Sequence, residues 1–236
     1  MGALEALLAT FPPALPHGSL DEVLPGVHFV TGQMKMNALM AFDRNMTVVE
    51  HDGGLVVFNS MRLGDEGLAA LDALGKVTDV VRIGAYHGRD DAFYVDRYGA
   101  TLWAPEGCSR DLDPKPLVEG AELPIPGAEV FCFQSTKKPE CLVYLPLHGG
   151  LVIPCDALQN WLGPHPEYTS FAAKLFMRPM GFFRPTSPGA GWVKSEKPDM
   201  AEFQRLLDGW DFENLLPAHG APVLGGAKAA YQANIA

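Results

Sequence analysis

The chain has 236 residues, of which 47% are hydrophobic, and its 28 acidic and 18 basic residues give a formal net charge of -10. We expect residues 1–236 to form a single α/β domain with a sizeable core, in which residues 1–25 are a lead segment; a second domain is not required. The negative charge disfavours a nucleic-acid partner, which is bound largely through Lys and Arg, and no apolar stretch reaches the roughly 20 residues that cross a bilayer.

The N-terminal residues and the cysteines both favour a cytoplasmic protein. Residues 1–15 lack the basic n-region and the small-residue cleavage site of a signal peptide. The cysteines contain no CxxC pair, which is typical of reduced thiols rather than of a disulfide framework; they are Cys108, Cys132, Cys141 and Cys155. We therefore expect a cytoplasmic protein with a small-molecule ligand or substrate and no membrane partner. The sequence does not indicate an oligomeric state.

The first half of the chain predicts strands, one hairpin and one helix. The turn Asp52-Gly53-Gly54 lies between two apolar runs, and its glycines supply positive φ cheaply, which favours a hairpin. The predicted elements are strands at residues 26–32, 46–50 and 55–59, a helix from Asp65 to Gly75, and a strand at residues 77–83 that is apolar enough to be buried on both faces.

The second half predicts a second set of strands followed by helices. Residues 111–126 carry prolines and charges, as expected of a surface connection, and residues 182–191 form a loop rich in Pro and Gly. The predicted elements are strands at residues 101–104, 128–133, 141–145 and 151–153, helices at 167–177 and 198–207, and a short strand at 214–216.

Residues that could hold a metal occur in three segments, each directly after a predicted strand. They are His87-Gly88-Arg89-Asp90-Asp91-Ala92, then Asp156, then the turn Pro217-Ala218-His219-Gly220. Loops at strand ends are where α/β folds place polar functional groups, because the sheet fixes their position. Imidazole and carboxylate groups are common ligands of Zn²⁺, Mn²⁺ and Fe²⁺.

These three segments, and the order of elements around them, resemble the metallo-β-lactamase superfamily. The resemblance runs from about Gly26 to the C-terminus, and it implies a four-layer αββα sandwich. In its HxHxDH pattern, His87 matches the first histidine and Asp91 the aspartate. Asp156 matches the aspartate that bridges two metals, and His219 matches the last histidine.

The motif is incomplete, and in this the chain resembles a divergent branch of the superfamily whose function is unknown. Arg89 stands at the second histidine, Ala92 replaces the third, and residues 134–138 lack the isolated histidine. The resemblance therefore implies that the first metal site is lost. The remaining ligands imply one divalent ion (Zn, Mn or Fe), held by Asp91, Asp156 and His219 with His87 as a fourth ligand or a base.

Two hypotheses follow. In the first, the protein is a mononuclear metal-dependent hydrolase of a small ester, lactone, thioester or amide, with His87 and Asp91 as catalytic residues. In the second, it is a non-catalytic protein that has lost its metals and binds a small molecule or a protein partner. There Arg89 lies in the substrate pocket and replaces the metal by pairing with Asp91 and Asp156. Serine hydrolases and nucleotide-binding enzymes are disfavoured, because GxSxG, GxGxxG and P-loop motifs are absent.

Two further features have a structural and a functional interpretation. A methionine-rich stretch forms either core or a lining for an apolar ligand; it contains Met34, Met36, Met40, Phe42 and Met46. Cys155, next to Asp156, is a ligand, a nucleophile or, as is more common at the end of an apolar strand, a small buried hydrophobic residue.

Overall fold

The computed structural model of the protein describes residues 11–235. Its larger sheet has seven strands that neighbour one another in chain order, which are β1 (Asp21–Leu24), β2 (Val27–Lys35), β3 (Ala41–His51), β4 (Gly54–Phe58), β5 (Lys76–Val81), β6 (Thr101–Ala104) and β7 (Lys115–Pro116). Its second sheet has the order β14-β13-β10-β9-β8, with β8 (Glu129–Cys132), β9 (Cys141–Leu145), β10 (Leu151–Pro154), β13 (Asn214–Leu215) and β14 (Val223–Leu224). A separate pair consists of β11 (Leu158–Gln159) and β12 (Ser187–Pro188).

Helices cover the outer faces of the two sheets. The larger sheet packs against α1 (Asp65–Leu74) and α2 (Asp91–Tyr98). The smaller sheet packs against α4 (Ala190–Glu196), α5 (Met200–Gly209) and α6 (Ala227–Ile235), whereas α3 (Phe171–Met177) lies beside the strand ends. No helix within residues 11–235 is long and apolar enough to span a membrane.

Alternation along the strands builds the layers. In β4, Val56 and Phe58 point into the core between the two sheets, while Leu55 and Val57 point to the helices on the outer face. In β10, Leu151 and Ile153 face the other sheet, and Val152 faces the helices. Successive side chains of a strand point to opposite faces, so an apolar strand can serve two cores. The predicted four-layer αββα sandwich is confirmed.

Several predicted elements are confirmed. β3 and β4 form the predicted hairpin, with positive φ at Asp52 and Gly53. β6 and β9 occupy the predicted residues, and α1 ends at Gly75 as predicted. Of the predicted lead segment, residues 21–24 form β1 and pair with β2, while residues 1–10 lie outside the described part of the chain.

Other elements differ from the prediction for local reasons. The helix expected at 167–177 begins only at Phe171, because the Ser170 hydroxyl caps it by accepting a hydrogen bond from the Ala173 N–H. The connection at 111–126 contains β7, which extends the sheet beside β6. The helices α4 and α6 were not predicted, since α4 starts within a Gly-rich stretch and α6 has only two buried residues, Ala227 and Tyr231.

Candidate metal centre

Strand ends bring three of the predicted ligands together. His87 lies on the loop between β5 and α2, Asp156 lies two residues after β10, and His219 lies in the turn after β13. β10 and β13 are parallel, so their carboxyl ends place Asp156 and His219 at the same edge of the second sheet. The two sheets meet face to face, and His87 reaches this edge from the first one.

The ligand atoms of His87, Asp156 and His219 converge on one point. The two Nε2 atoms lie 3.2 Å apart, and Asp156 Oδ1 lies 3.3 Å from His219 Nε2 and 3.6 Å from His87 Nε2. Both imidazoles are buried, whereas the Asp156 side chain is 14% exposed. Ligands bound at about 2.0–2.1 Å to a tetrahedral ion are about 3.3 Å apart. The arrangement therefore fits a metal ion that is open to a cavity on one side.

Hydrogen bonding also prepares His219 to bind a metal. Its Nδ1 lies 2.7 Å from the backbone carbonyl oxygen of Asp43; a carbonyl only accepts, so Nδ1 carries the hydrogen. In the neutral imidazole, Nε2 then has a free lone pair directed at the centre. Metal-ligating histidines usually donate their second N–H to a carbonyl or carboxylate in this way.

The three groups differ in protonation. Burial lowers the pKa of His87 to about 4, so its imidazole is neutral at neutral pH. Burial also lowers the pKa of His219, but the hydrogen bond with Asp156, the charge of that carboxylate and the hydrogen bond with the Asp43 backbone together outweigh burial, and the net shift is upward. Burial opposes ionisation of Asp156, yet the charge and hydrogen bonds of the two imidazoles hold the pKa of its carboxyl well below its usual range. Without a metal, the anionic Asp156 therefore favours the protonated form of His219.

β3 supplies a frame for the turn that carries His219. Asn45 Nδ2 donates to the carbonyl oxygens of Pro217 and Gly220, at 2.8 Å each. The indole of Trp161 stacks on the His219 ring, with centroids 5.0 Å apart, and its Nε1 donates to Asp43 Oδ1. Sequence reasoning missed these residues. For Asp43 and Asn45, the signal was the run Asp43-Arg44-Asn45, three consecutive polar residues of β3 that are all buried.

We expect Gly220→Ala to disturb this turn severely. Gly220 has φ +85°, and a Cβ there would lie 2.1 Å from the backbone oxygen of Asn160. The matched control is Gly225→Ala, since Gly225 has φ +82° with open space around it. Thermal unfolding should show a loss of about 1 kcal/mol for Gly225→Ala, from strain alone, and at least about 2 kcal/mol more for Gly220→Ala. Equal losses would show that the turn is not tightly held.

The structure does not bring Asp91 into this group. Asp91 is the first residue of α2 and is fully buried. Its Oδ1 accepts a hydrogen bond of 2.7 Å from the Ser60 hydroxyl, and its Oδ2 lies 3.9 Å from an Arg82 nitrogen. Burial raises its pKa to about 6. Its predicted roles as a metal ligand and a catalytic residue therefore lack support from the geometry.

The ion pairs predicted for Arg89 are wrong. Arg89 donates to Asp90 Oδ1 at 2.6 Å and to the Pro13 carbonyl oxygen, and its side chain is 31% exposed. It does not line the cavity at His87 and does not pair with Asp91 or Asp156. The reason is that the inner side of the α2 N-terminus is occupied by two other guanidinium groups, Arg44 and Arg82.

Arg44 is the buried cation of this region. It is 1% exposed; it donates to the carbonyl oxygens of Asn59 and Ser60 and lies 3.6 Å from Asp90 Oδ2. The carboxylates that follow His87 are thus balanced by arginines from the sheet. Asp156, by contrast, has two imidazoles as its neighbours, and no Lys or Arg pairs with it within residues 11–235.

A second acidic group lies behind Asp156. Glu140, Cys155 and Asp156 each offer a ligand atom within 4.8 Å of the others. Glu140 Oε1 accepts a hydrogen bond of 2.8 Å from the Ala157 N–H. Burial, followed by the charge of Asp156, raises the pKa of Glu140 well above its usual value, which favours the protonated carboxyl. Cys155 is fully buried, and burial raises its thiol pKa strongly, which agrees with a packing role.

An apolar cavity of about 430 Å³ opens onto the centre. Its floor contains His87, Asp156 and His219, and its walls are five methionines and six aromatic residues. These are Met34, Met36, Met40, Met177, Met180, Phe42, Tyr86, Trp161, Phe176, Phe182 and Trp192. The methionine-rich stretch therefore lines the cavity through Met34, Met36, Met40 and Phe42, whereas Met46 belongs to the core of the larger sheet.

Comparisons with known proteins identify the fold of the chain and no specific activity. No protein-family model matches the chain, and no curated protein is significantly similar to it in sequence. The solved structures that resemble it include the metallo-β-lactamase from Hirschia baltica, with a TM-score of 0.58 and 12% identity over 93% of this chain and 97% of that one. FIM-1 from Pseudomonas aeruginosa, in its mono-zinc form, has a TM-score of 0.56 and 13% identity over 95% and 96%. The Erythrobacter litoralis enzyme has a TM-score of 0.56 and 12% identity over 99% and 97%. The chain therefore has the metallo-β-lactamase fold.

Proposed function

We propose that the protein is a hydrolase that uses one divalent metal ion, held by His87, Asp156 and His219, to cleave a small carbonyl substrate with an apolar substituent. The ester, lactone, thioester and amide classes are the candidates. The observation that carries this proposal is the convergence of three ligand atoms, 3.2 to 3.6 Å apart, on the floor of the apolar cavity. Two imidazoles and one carboxylate suit Zn²⁺ and Fe²⁺, and the structural neighbour FIM-1 was solved with a single zinc.

The residues of the centre would have distinct tasks. A bound ion would supply a water of lowered pKa and polarise the substrate carbonyl. His87 is neutral and acts as a ligand. Asp43 fixes the tautomer of His219 through its carbonyl oxygen, and Trp161 fixes the plane of the ring. Glu140 holds the backbone next to Asp156 through the Ala157 N–H, and its raised pKa favours the neutral form beside that carboxylate.

The cavity walls would select and position the substrate. Methionine side chains adapt to irregular apolar shapes, and aromatic walls exclude water from the reacting carbonyl. Besides the aromatic residues, Gln159 and Ser195 are uncharged polar residues of the lining. This lining has no Lys or Arg, so it offers no cation to bind a substrate carboxylate.

Hydrolysis of nitrophenyl esters of increasing chain length tests this function. Each methylene buried in the cavity contributes about 0.8 kcal/mol to substrate binding. We therefore expect the kcat/KM of nitrophenyl octanoate to exceed that of nitrophenyl acetate by at least about tenfold. Met180→Asp should remove this preference and leave acetate hydrolysis unchanged, because Met180 lines the cavity but is 51% exposed and tolerates a polar group. Absence of turnover with every ester, lactone, thioester and amide tested on metal-loaded protein would reject the hydrolase.

Metal binding is expected to release a proton from His219 at pH values below the raised pKa of that imidazole. The ligand His219 has a raised pKa and must lose its proton to bind, whereas His87 is already neutral and Asp156 already ionised. Affinity should therefore rise about tenfold per pH unit below the pKa of His219 and level off above it. Calorimetry in buffers of different ionisation enthalpy measures this proton directly. Affinity that does not change with pH between 5 and 8 would contradict the assignment of His219.

The second candidate function is ligand binding without catalysis. The observation that favours it is the ion pair between Asp156 and His219, which satisfies both groups without a metal. In this case an uncharged apolar ligand such as 1-octanol should bind in the cavity with the same affinity in the presence of a chelator as in the presence of Zn²⁺. Binding that depends on the metal would support the hydrolase instead.

A further inference from the structure

Two of the four cysteines meet across neighbouring strands. Cys132 of β8 and Cys141 of β9 are direct partners in the antiparallel register, and their Sγ atoms lie 2.7 Å apart. The next pair in the register is Phe133 and Glu140, which are joined by a hydrogen bond from the Phe133 N–H to the Glu140 carbonyl oxygen. The Cys132 N–H instead donates to the Glu119 side chain. The cysteines are thus a non-hydrogen-bonded pair.

This position is suited to a disulfide. Non-hydrogen-bonded antiparallel pairs bring their Cα atoms to about 4.5 Å, within the range of about 4.4–6.8 Å that a disulfide requires. Both thiols are free in this structure. Oxidation would therefore need only a small adjustment of the side chains and no movement of the strands.

The two thiols also differ in reactivity. Cys132 is partly exposed, and its hydrogen bond with the Cys141 thiol lowers its pKa. Cys141 is buried, and the same hydrogen bond, together with burial, raises its pKa. Reactive cysteines combine exposure with a lowered pKa. Cys132 is thus the attacking thiolate, and Cys141 is placed to resolve the product.

We propose that Cys132 and Cys141 form a reversible disulfide when the protein meets a small-molecule disulfide such as oxidised glutathione. The Cys132 thiolate attacks one sulfur of the oxidant, forms a mixed disulfide and expels the first thiolate. Cys141 loses its proton and attacks Cys132 Sγ, which expels the second thiolate. Two protein thiols are oxidised, and one small-molecule disulfide is reduced to two thiols.

The disulfide would close a segment that supports both sides of the candidate metal centre. Within residues 133–140, the Pro139 carbonyl oxygen accepts a hydrogen bond from the Ala85 N–H, two residues before His87. Glu140 Oε1 accepts one from the Ala157 N–H, next to Asp156. Oxidation would thus restrict the segment that links the two ligand loops. This consequence for the centre rests on the proposed function, whereas formation of the disulfide does not.

Counting thiols in denatured protein tests the proposal. After oxidised glutathione, the wild type should fall from four thiols to two, with Cys132 and Cys141 joined in one peptide, and dithiothreitol should restore the four. C141S should instead retain one glutathione on Cys132, because the resolving thiol is missing. C132S should keep its three thiols, since Cys141 is buried.

The matched control is C108S, which removes a buried cysteine outside the pair and should still lose two thiols. Four remaining thiols in the oxidised wild type, or a disulfide between other cysteines, would overturn the proposal. Loss of metal binding in the metal-centre variants would leave the thiol result unchanged, so the two proposals fail separately.

Discussion

Replacing Arg44 with leucine is expected to lower the free energy of unfolding by about 3–5 kcal/mol, because the change removes the more deeply buried of the two guanidinium groups that neutralise Asp90. Arg44 and Asp90 are each 2% exposed in their side chains, and a guanidinium nitrogen of Arg44 lies 3.6 Å from Asp90 Oδ2. The change also removes the donors to the carbonyl oxygens of Asn59 and Ser60. Denaturant unfolding, analysed with a common m-value, measures this loss.

Arg89→Leu is the matched control for Arg44→Leu. Arg89 pairs with the same carboxylate, Asp90, but its side chain is 31% exposed. A partly solvated pair contributes up to about 1 kcal/mol, so the control should destabilise by no more than that. If Arg89→Leu were the more destabilising change, Arg89 and not Arg44 would be the principal counter-ion.

His219→Ala is expected to weaken Zn²⁺ binding by at least about 100-fold. Loss of an outer partner of a ligand alone costs about 10–100-fold in affinity, and His219 is itself one of three converging ligands. Competition with a chelator of known affinity measures the change. Because the imidazole is buried against Trp161 and Phe42, circular dichroism must first show that the variant is folded.

His148→Ala is the control for this change. His148 is exposed, and its imidazole forms a hydrogen bond with the Pro25 carbonyl oxygen on the surface. Zn²⁺ affinity should remain within about twofold of the wild type, as expected for a surface residue outside the centre. A similar fall in both variants would mean that the measured zinc is held by exposed histidines and not by the proposed centre.

The layer architecture could be predicted from the sequence because strand periodicity and turn chemistry are local. The hairpin at Asp52-Gly53 and the apolar strands β5 and β10 follow from such signals. The segments of His87, Asp156 and His219 could be predicted as a group, since each follows a strand and together they resemble a known motif. The fold then brings their ligand atoms together.

Asp91 shows where sequence spacing stops being informative. A motif position gives the distance along the chain from His87, but not the direction of the side chain. That direction is set here by the start of α2, by the Ser60 hydroxyl and by Arg82. Ser60 and Arg82 are not adjacent to Asp91 in the sequence. The motif alone therefore could not decide whether Asp91 contributes to a metal site.

Arg44 and the cysteine pair were missed for a related reason. Arg44 lies within a long strand, and only the packing of α2 against the sheet places it beside Asp90. Cys132 and Cys141 are nine residues apart without a recognised motif. Their contact depends on the register between β8 and β9, which becomes known only when the strands are paired.

In the methionine-rich stretch, by contrast, both alternatives that the sequence analysis named are present in the structure. The alternatives were packing in the core and lining a cavity for an apolar ligand. Met46 is fully buried in the core, whereas Met34 and Met36 line the cavity above His219. Met34 lies near the end of β2 and Met36 in the connection to β3, whereas Met46 lies in the middle of β3.

Elemental analysis of untagged protein tests the central claim most directly. The protein would be dialysed against Zn²⁺, Mn²⁺ or Fe²⁺, then against metal-free buffer, with Asp156→Ala treated in parallel. We predict close to one ion per chain in the wild type and almost none in the variant, because Asp156 is the only carboxylate among the three converging ligands. No retained metal in the wild type, or equal retention in Asp156→Ala, would contradict a metal centre at His87, Asp156 and His219.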